Sequence, residues 1–292
     1  MNHSYLLGVG AAILAGMAYY SGIVLQKLAV SKLQDQSKLM IRLIHTPLWV
    51  EGFAIQFIIG VPLNLVAAAL IGPAILPGLM ATGLIALVIG SIRLSHEAFS
   101  LTDALGIVFV MAAAALLGLA GLGIDMKNVD FYDGAFQSRL VFFSGVVGCF
   151  SVACYLLQRK NGPLRGIFRT LDAGFLFVQS NLWISVMMGF LYRWGGGLFS
   201  SSDLIFAIIA TTIAAAGSVL GVTETQRAFQ MGDATRLVPI QAVPQQILPV
   251  ITFFIVFQLT PAKQNAFFLA AAGVILVLLG STLLARRQVA LQ

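Results

Sequence analysis

Along the chain, apolar runs of about 20 residues recur between short polar stretches, the length a helix needs to cross about 30 Å of hydrocarbon. On that measure the sequence predicts nine spans, at about 5–29, 48–70, 74–94, 101–122, 138–158, 173–193, 203–229, 236–258 and 265–286. None of the stretches between them is long enough for a domain outside the bilayer. The expected fold is therefore an all-α polytopic membrane protein, with its chemistry within or beside the bilayer. The segment KLMIRLIHTP at 38–47 is open to two readings, an interfacial amphipathic helix or a short tenth span. The run after MNHSYLLGVG has no cationic start and is expected to be a retained span, not a secretory signal.

Composition agrees with this pattern. The 292 residues are 59% hydrophobic and 10% charged, where a soluble domain carries about 25% charged residues. A mean hydropathy of +0.94 excludes an ordinary soluble enzyme. The net charge of +6 reads as topology and not as nucleic-acid binding, because basic residues gather in cytoplasmic loops. Lys127, Arg139, Arg193 and Lys263 fall on one side of the predicted spans, and the other 13 of the 17 fall on the opposite side. That places the C-terminus in the cytoplasm and the N-terminus, with nine spans, outside a cell membrane. The linker bearing Asp125, Asp130 and Asp133 is then also external. Cys149 and Cys154 share one apolar run and suggest neither metal nor disulfide. No GxxxxGK[ST], HExxH or nucleophile elbow is present, so neither an enzyme nor a cofactor is expected.

The chain carries traces of an internal repeat. Leu25, Gln26 and Lys27 return as Leu157, Gln158 and Arg159, an offset of 132. Ala68, Gly72 and Ala74 match Ala228, Gly232 and Ala234 at 160, Glu97 matches Gln258 at 161, and Gly118 matches Gly280 at 162. This order predicts an N-terminal half of four spans at 1–122, an external linker at 123–137 and a C-terminal half of five spans at 138–292. The span at 173–193 is left without a counterpart.

The stretch SHEAFSLTDALGIVFVMAAAALLG, with Glu97, Gly106 and Gly118, resembles the helix-entry pattern that closes each half of drug/metabolite transporter (EamA-like) proteins. Its partner VFQLTPAKQNAFFLAAAGVILVLLG has Gln258 where that family usually has Glu. PLWVEGFAIQFIIGVPLNLVAAALIGPAILPG and RAFQMGDATRLVPIQAVPQQ are similar to the NIPA-like branch, which is associated with magnesium transport. The resemblance implies two repeated halves around a mid-membrane cavity and transport by alternating access.

Polar residues at bilayer depth are the candidates for function, because they need partners or a watery cavity. Asn64 comes two residues after Pro62 in the second span, and Gln56, eight residues earlier, would share its face in a regular helix. Pro239, Pro244 and Pro249 predict that the eighth span is discontinuous, with Gln241 and Gln245 on one face beside freed carbonyls. Pro73 and Pro77 suggest the matching half of the cavity in the third span. Asn181, Gln179 and Trp183 could add a wall from the sixth. Substrate contact is expected from Asn64, Gln56, Gln241, Gln245 and Asn181. Glu51 and Glu224 are the acids assigned to spans, as coupling or cation-binding groups, with Arg227 an ion-pair partner for Glu224. Glu97 is expected to neutralise Arg93, and Ser100 or Thr102 with Asp103 to cap the fourth span.

These readings favour a transporter for a small solute, an organic metabolite or drug-like compound. A magnesium route through Glu51, Glu224 and Asn64 is the second transport reading. From another class, the chain could be a non-transporting subunit or scaffold of a membrane complex. The bilayer is a partner in every case, and small-residue faces leave a homodimer open.

Overall fold

The computed structural model describes residues 3–33, 39–71, 76–124, 129–159, 162–196, 201–261 and 263–290. Lys38, Gly72, Pro73, Ala74, Asp125, Lys127 and Lys160 lie outside them, as does the side chain of Pro77. All regular structure among the described residues is helical. In chain order come α1 (His3–Ser31), α2 (Leu39–Ile44), α3 (Pro47–Ala54), a π turn (Ile55–Gly60) and α4 (Val61–Ile71). Next are α5 (Leu76–Ala81), α6 (Leu84–Leu94), α7 (Leu101–Ala120), α8 (Gly134–Leu157) and α9 (Arg165–Gly195). The chain ends with α10 (Ser201–Phe229), α11 (Ala234–Ile251) running into a second π turn (Thr252–Val256), and α12 (Ala266–Ala290). Among the described residues, eight helical segments are long and apolar enough to cross a membrane, and a ninth apolar stretch, Gly78–Leu94, is shorter. The protein is a helical, multi-pass membrane protein.

Three expectations change. The segment at 38–47 contains only the six-residue α2, which rises about 9 Å and is too short for a tenth span. Its Leu39 and Leu43, one turn apart, are buried against the core. The predicted third span is interrupted at Thr82–Gly83, between α5 and α6. Here the chain runs directly on the backbone of α1: a Cβ on Gly83 would lie 2.3 Å from the Gly16 carbonyl carbon. The proline-rich α11, by contrast, is one continuous helix. Its prolines are five residues apart, about 140° around the axis at each step, so the three bends point in different directions and do not add up to a break.

Close backbone contacts fix the arrangement. Helix α1 lies antiparallel to α3–α4, with Gly22 against Gly52. Helix α9 lies antiparallel to α10, with Ser180 against Gly217. Gly16 of α1 meets Met80 at the α5–α6 break, and Gly174 of α9 meets the Gln241 carbonyl and Pro244 of α11. Helices α7 and α12 cross where Gly106 and Gly280 touch. Just before each of these two helices, one residue has a left-handed backbone, His96 (φ 52°) and Gln258 (φ 51°). By these contacts α9 stands to α10 and α11 as α1 stands to α3–α6. The sequence match of Lys27 with Arg159 is not a match of position, since Arg159 is exposed over the Tyr155 ring.

The bundle has one basic end, where Lys27, Arg169, Arg227 and Arg236 meet their partners. At that end a single core joins α1, α6, α7, α10, α11 and α12, through Val24, Leu87, Val110, Phe229, Leu237 and Leu284. Toward the opposite end the packing divides. One cluster, around Ala12, Ala67 and Leu76, belongs to α1, α4 and α5. Another, around Phe143, Trp183 and Val256, belongs to α8–α11. The linker closes over the second: Phe131 is buried against Phe190, with ring centroids 4.8 Å apart. Tyr132 Oη donates to Asp203, which also pairs with Arg193.

A Cβ at position 52 would sit 2.6 Å from the Gly22 carbonyl oxygen, whereas nothing lies within 4 Å of one at position 10. Gly52→Val is therefore expected to cost about 1–3 kcal/mol and to lower the thermal unfolding midpoint in detergent. Gly10→Ala should not lower it.

Candidate functional site

Between the divided cores lies a cavity of about 670 Å³, walled by Tyr19 and Tyr20 of α1, Met80 and Ala81, Leu117 and Gly118 of α7, and Gln245, Gln246 and Pro249 of α11. It adjoins two smaller spaces that share Gln245. One, about 130 Å³, leads toward the basic end past Gln26, Gln56, Gln226 and Gln241. The other, about 120 Å³, leads along α9 past Asn181, Ser185 and Thr252. Apart from the tyrosines, no ionisable side chain is among the described residues that line these three spaces.

The floor is a chain of three buried amides. Gln226 Nε2 of α10 donates to Gln26 Oε1 of α1 at 2.7 Å, and Gln26 Nε2 donates to Gln56 Oε1 at 2.8 Å. Gln56 sits within the first π turn, which adds a residue to the helix ahead of Pro62. Gln226 Oε1 and Gln246 Oε1 are buried acceptors without a hydrogen-bond partner. No described residue hydrogen-bonds the amides of Gln241 or Gln245. The walls thus hold hydrogen-bonding capacity that the protein itself leaves unused, which is costly in a buried site unless water or a ligand fills it.

Beneath the floor the basic end is closed by charged groups matched to helix ends. Lys27 Nζ donates to the carbonyls of Phe229 (2.5 Å) and Gly232 (2.6 Å) at the C-terminus of α10. Glu97 accepts from the N–H groups of Ala234 (2.8 Å) and Thr235 (3.0 Å) and from Thr235 Oγ1 (2.8 Å) at the N-terminus of α11. Each charge meets the helix end of opposite partial charge. Arg236 and Asp103, both fully buried, pair at 2.9 Å. Arg236 also donates to the Ala98 carbonyl at 2.5 Å and pairs with Asp233. Asp103 additionally forms a capping box with Ser100 at the start of α7.

Gln56, Gln241 and Gln245 come together on the smaller space of about 130 Å³ toward the basic end, and Asn181 shares the side space with Gln245. Asn64 does not. Asn64 lies outside the cavity lining, with its buried Oδ1 unpartnered. Glu51 is exposed on α3. Glu224 is buried near the basic end, where it pairs with Arg227 at 2.8 Å, as expected, and with Arg169 at 3.0 Å. Glu97 is not the partner expected for Arg93, because its carboxylate is taken by α11. Trp183 donates to Ser144 and packs in the core.

Sequence reasoning missed Gln26 and Gln226 as site residues, although an amide within a span is a signal in itself. It placed Asp103 correctly in the cap of α7 but not in its pair with Arg236, and it missed Asp172 and Asp203, both buried within helices. Asp172 fell one residue short of a predicted span that in fact starts earlier. No family model, no curated protein and no solved structure matches the chain.

Truncating one member of the Asp103–Arg236 pair strands a buried charge. Arg236→Met is expected to cost about 3–5 kcal/mol in thermal unfolding. The double replacement with Asp103→Leu should recover a good part of the loss.

Proposed function

We propose that this protein is a membrane transporter for a small, uncharged organic solute rich in hydrogen-bonding groups, working by alternating access about the central cavity. The observation that carries this reading is a largely apolar cavity, uncharged among the described residues, with amides of Gln241 and Gln245 that no described residue hydrogen-bonds, narrow toward the basic end and wider away from it. An uncharged lining of amides, phenols and aromatic rings suits a neutral solute with a ring or amide. It suits a divalent cation less well, since Glu51 and Glu224 stand away from the cavity and Glu224 is already neutralised by two arginines. The resemblance to the drug/metabolite transporters supports the same reading.

On this reading the two moving units are α1–α7 and α9–α12, of inverted orientation, and α8 is the helix without a counterpart. The repeated glycine contacts and the paired left-handed residues before α7 and α12 support that division. The basic end faces the cytoplasm by the distribution of Lys and Arg, so the cavity opens outward and the C-terminus is cytoplasmic. The clamp on the α10–α11 corner then serves as the inner gate.

A thermal-shift series tests the site, because a ligand that binds only the folded state raises apparent stability. Uridine, a neutral dipeptide amide, choline and magnesium chloride form the probe set. Stabilisation by an uncharged probe is expected, and Gln241→Leu with Gln245→Leu should abolish that shift and the probe's uptake into proteoliposomes without loss of folded protein. A shift with magnesium alone, or a double variant that still responds, would overturn the assignment.

A further inference from the structure

We propose that Asp172 is the residue at which this transporter takes up and releases a proton, coupling solute movement to a proton gradient; the inference rests on the transport reading above. Asp172 lies on α9 about 10 Å in from the basic end and is 2% exposed. Its carboxylate is held by a neutral group, the Ser151 hydroxyl of α8, which donates to Oδ1 at 2.5 Å. No cation hydrogen-bonds it among the described residues. A buried acid within a membrane span is costly, and a hydroxyl partner leaves the proton as the ready means of neutralising it.

The surroundings add a second, independent observation. From α8, Cys154 and Gln158 lie on the same side as Ser151; from α10 come Glu224 and Arg227, and from α9 itself Arg165 and Arg169. Helix α11 meets α9 through Pro244 and the Gln241 carbonyl and brings no titratable side chain there. Arg169 Nε carries one hydrogen, and Gln158 Oε1 takes it at 2.6 Å. Glu224 Oε2, 3.0 Å from the same nitrogen, receives charge but no hydrogen bond. Gln158 Nε2 is likewise a buried donor without an acceptor. The cluster therefore leaves one donor and one acceptor unmatched beside two carboxylates, a polar imbalance that protonation of a carboxylate changes.

The link to the solute site is mechanical. Two residues beyond Asp172, on the other face of α9, Gly174 presses against the Gln241 carbonyl, where a Cβ would fall at 2.7 Å. Neutralising Asp172 removes its attraction to Arg169 and alters the seat of α9 between α8 and α11, and so the position of Gln241 in the cavity wall. In the cycle a water-borne proton joins the Asp172 carboxylate from one side of the membrane, and the carboxylic acid returns it to water on the other. No other bond is made or broken.

Infrared spectra of the full-length protein in lipid vesicles, recorded as pH is stepped, read the proton directly. The wild type should show a protonated-carboxyl band that titrates; Asp172→Asn should lack it, and Ser151→Ala should keep it with a shifted midpoint. An unchanged band in folded Asp172→Asn would overturn the proposal. Coupling is read from a pH dye trapped in the vesicles: uridine addition should move protons in the wild type, while Asp172→Asn still binds uridine in a thermal shift but moves none. Proton movement by that binding-competent variant would also overturn it. If uridine and the other probes bind neither protein, the transport reading fails, and coupling with it, while the infrared band still decides whether Asp172 titrates.

Discussion

The organisation of the whole molecule depends on how the turn between α10 and α11 is satisfied. Two helices end there in a place with little access to water, one presenting bare carbonyls and the other bare N–H groups. Both sets are met by side chains from the other half of the chain, Lys27 and Glu97, with the Arg236–Asp103 pair alongside. Ion pairs of this kind are poor sources of net stability, since desolvation offsets most of the attraction. They supply instead a geometry that is costly to satisfy in part. The single core around these contacts and the divided cores beyond it go with that arrangement: the helices pack as one cluster at the basic end and as separate clusters toward the other.

That asymmetry makes the cavity a property of packing as well as of composition. The amides lining it come from α1, the π turn, α10 and α11, and no one element supplies the site. Tyrosines and glutamines can occupy bilayer depth here because each is either bonded to a neighbour or turned to the cavity, while the larger charges are kept below the floor. The charges and the amide-lined cavity thus occupy different levels of one structure.

Much of this was legible from the chain. The spans can be read from hydropathy, and the pairing of Gln241 with Gln245 from helical spacing. The identity of the basic end comes from the Lys and Arg count. Features that depend on a departure from regular helix, or on a distant partner, escaped. Asn64 was expected beside Gln56 but lies outside the cavity lining, and nothing in the local pattern announces it. Three prolines looked like a break, yet their even spread around α11 leaves the helix whole, while the real interruption arises from Gly83 lying against Gly16. Glu97 had a plausible neighbour in Arg93, but its partner is a helix end 137 residues away. Asp172 was missed because a boundary was drawn one residue late.

The amide floor has one more property. Each glutamine offers a donor and an acceptor on the same flat group, and exchanging the two ends of an amide leaves its shape almost unchanged. If Gln226, Gln26 and Gln56 all turn over together, every bond in the chain survives with its direction reversed. The end that holds an unpartnered oxygen, Gln226 Oε1, then holds an unpartnered N–H, at no loss of internal bonding. On the proposed transport reading, such a surface selects for solutes that form hydrogen bonds while staying indifferent to whether they give or accept them, and tolerance of related compounds is built into three residues without any loosening of the backbone.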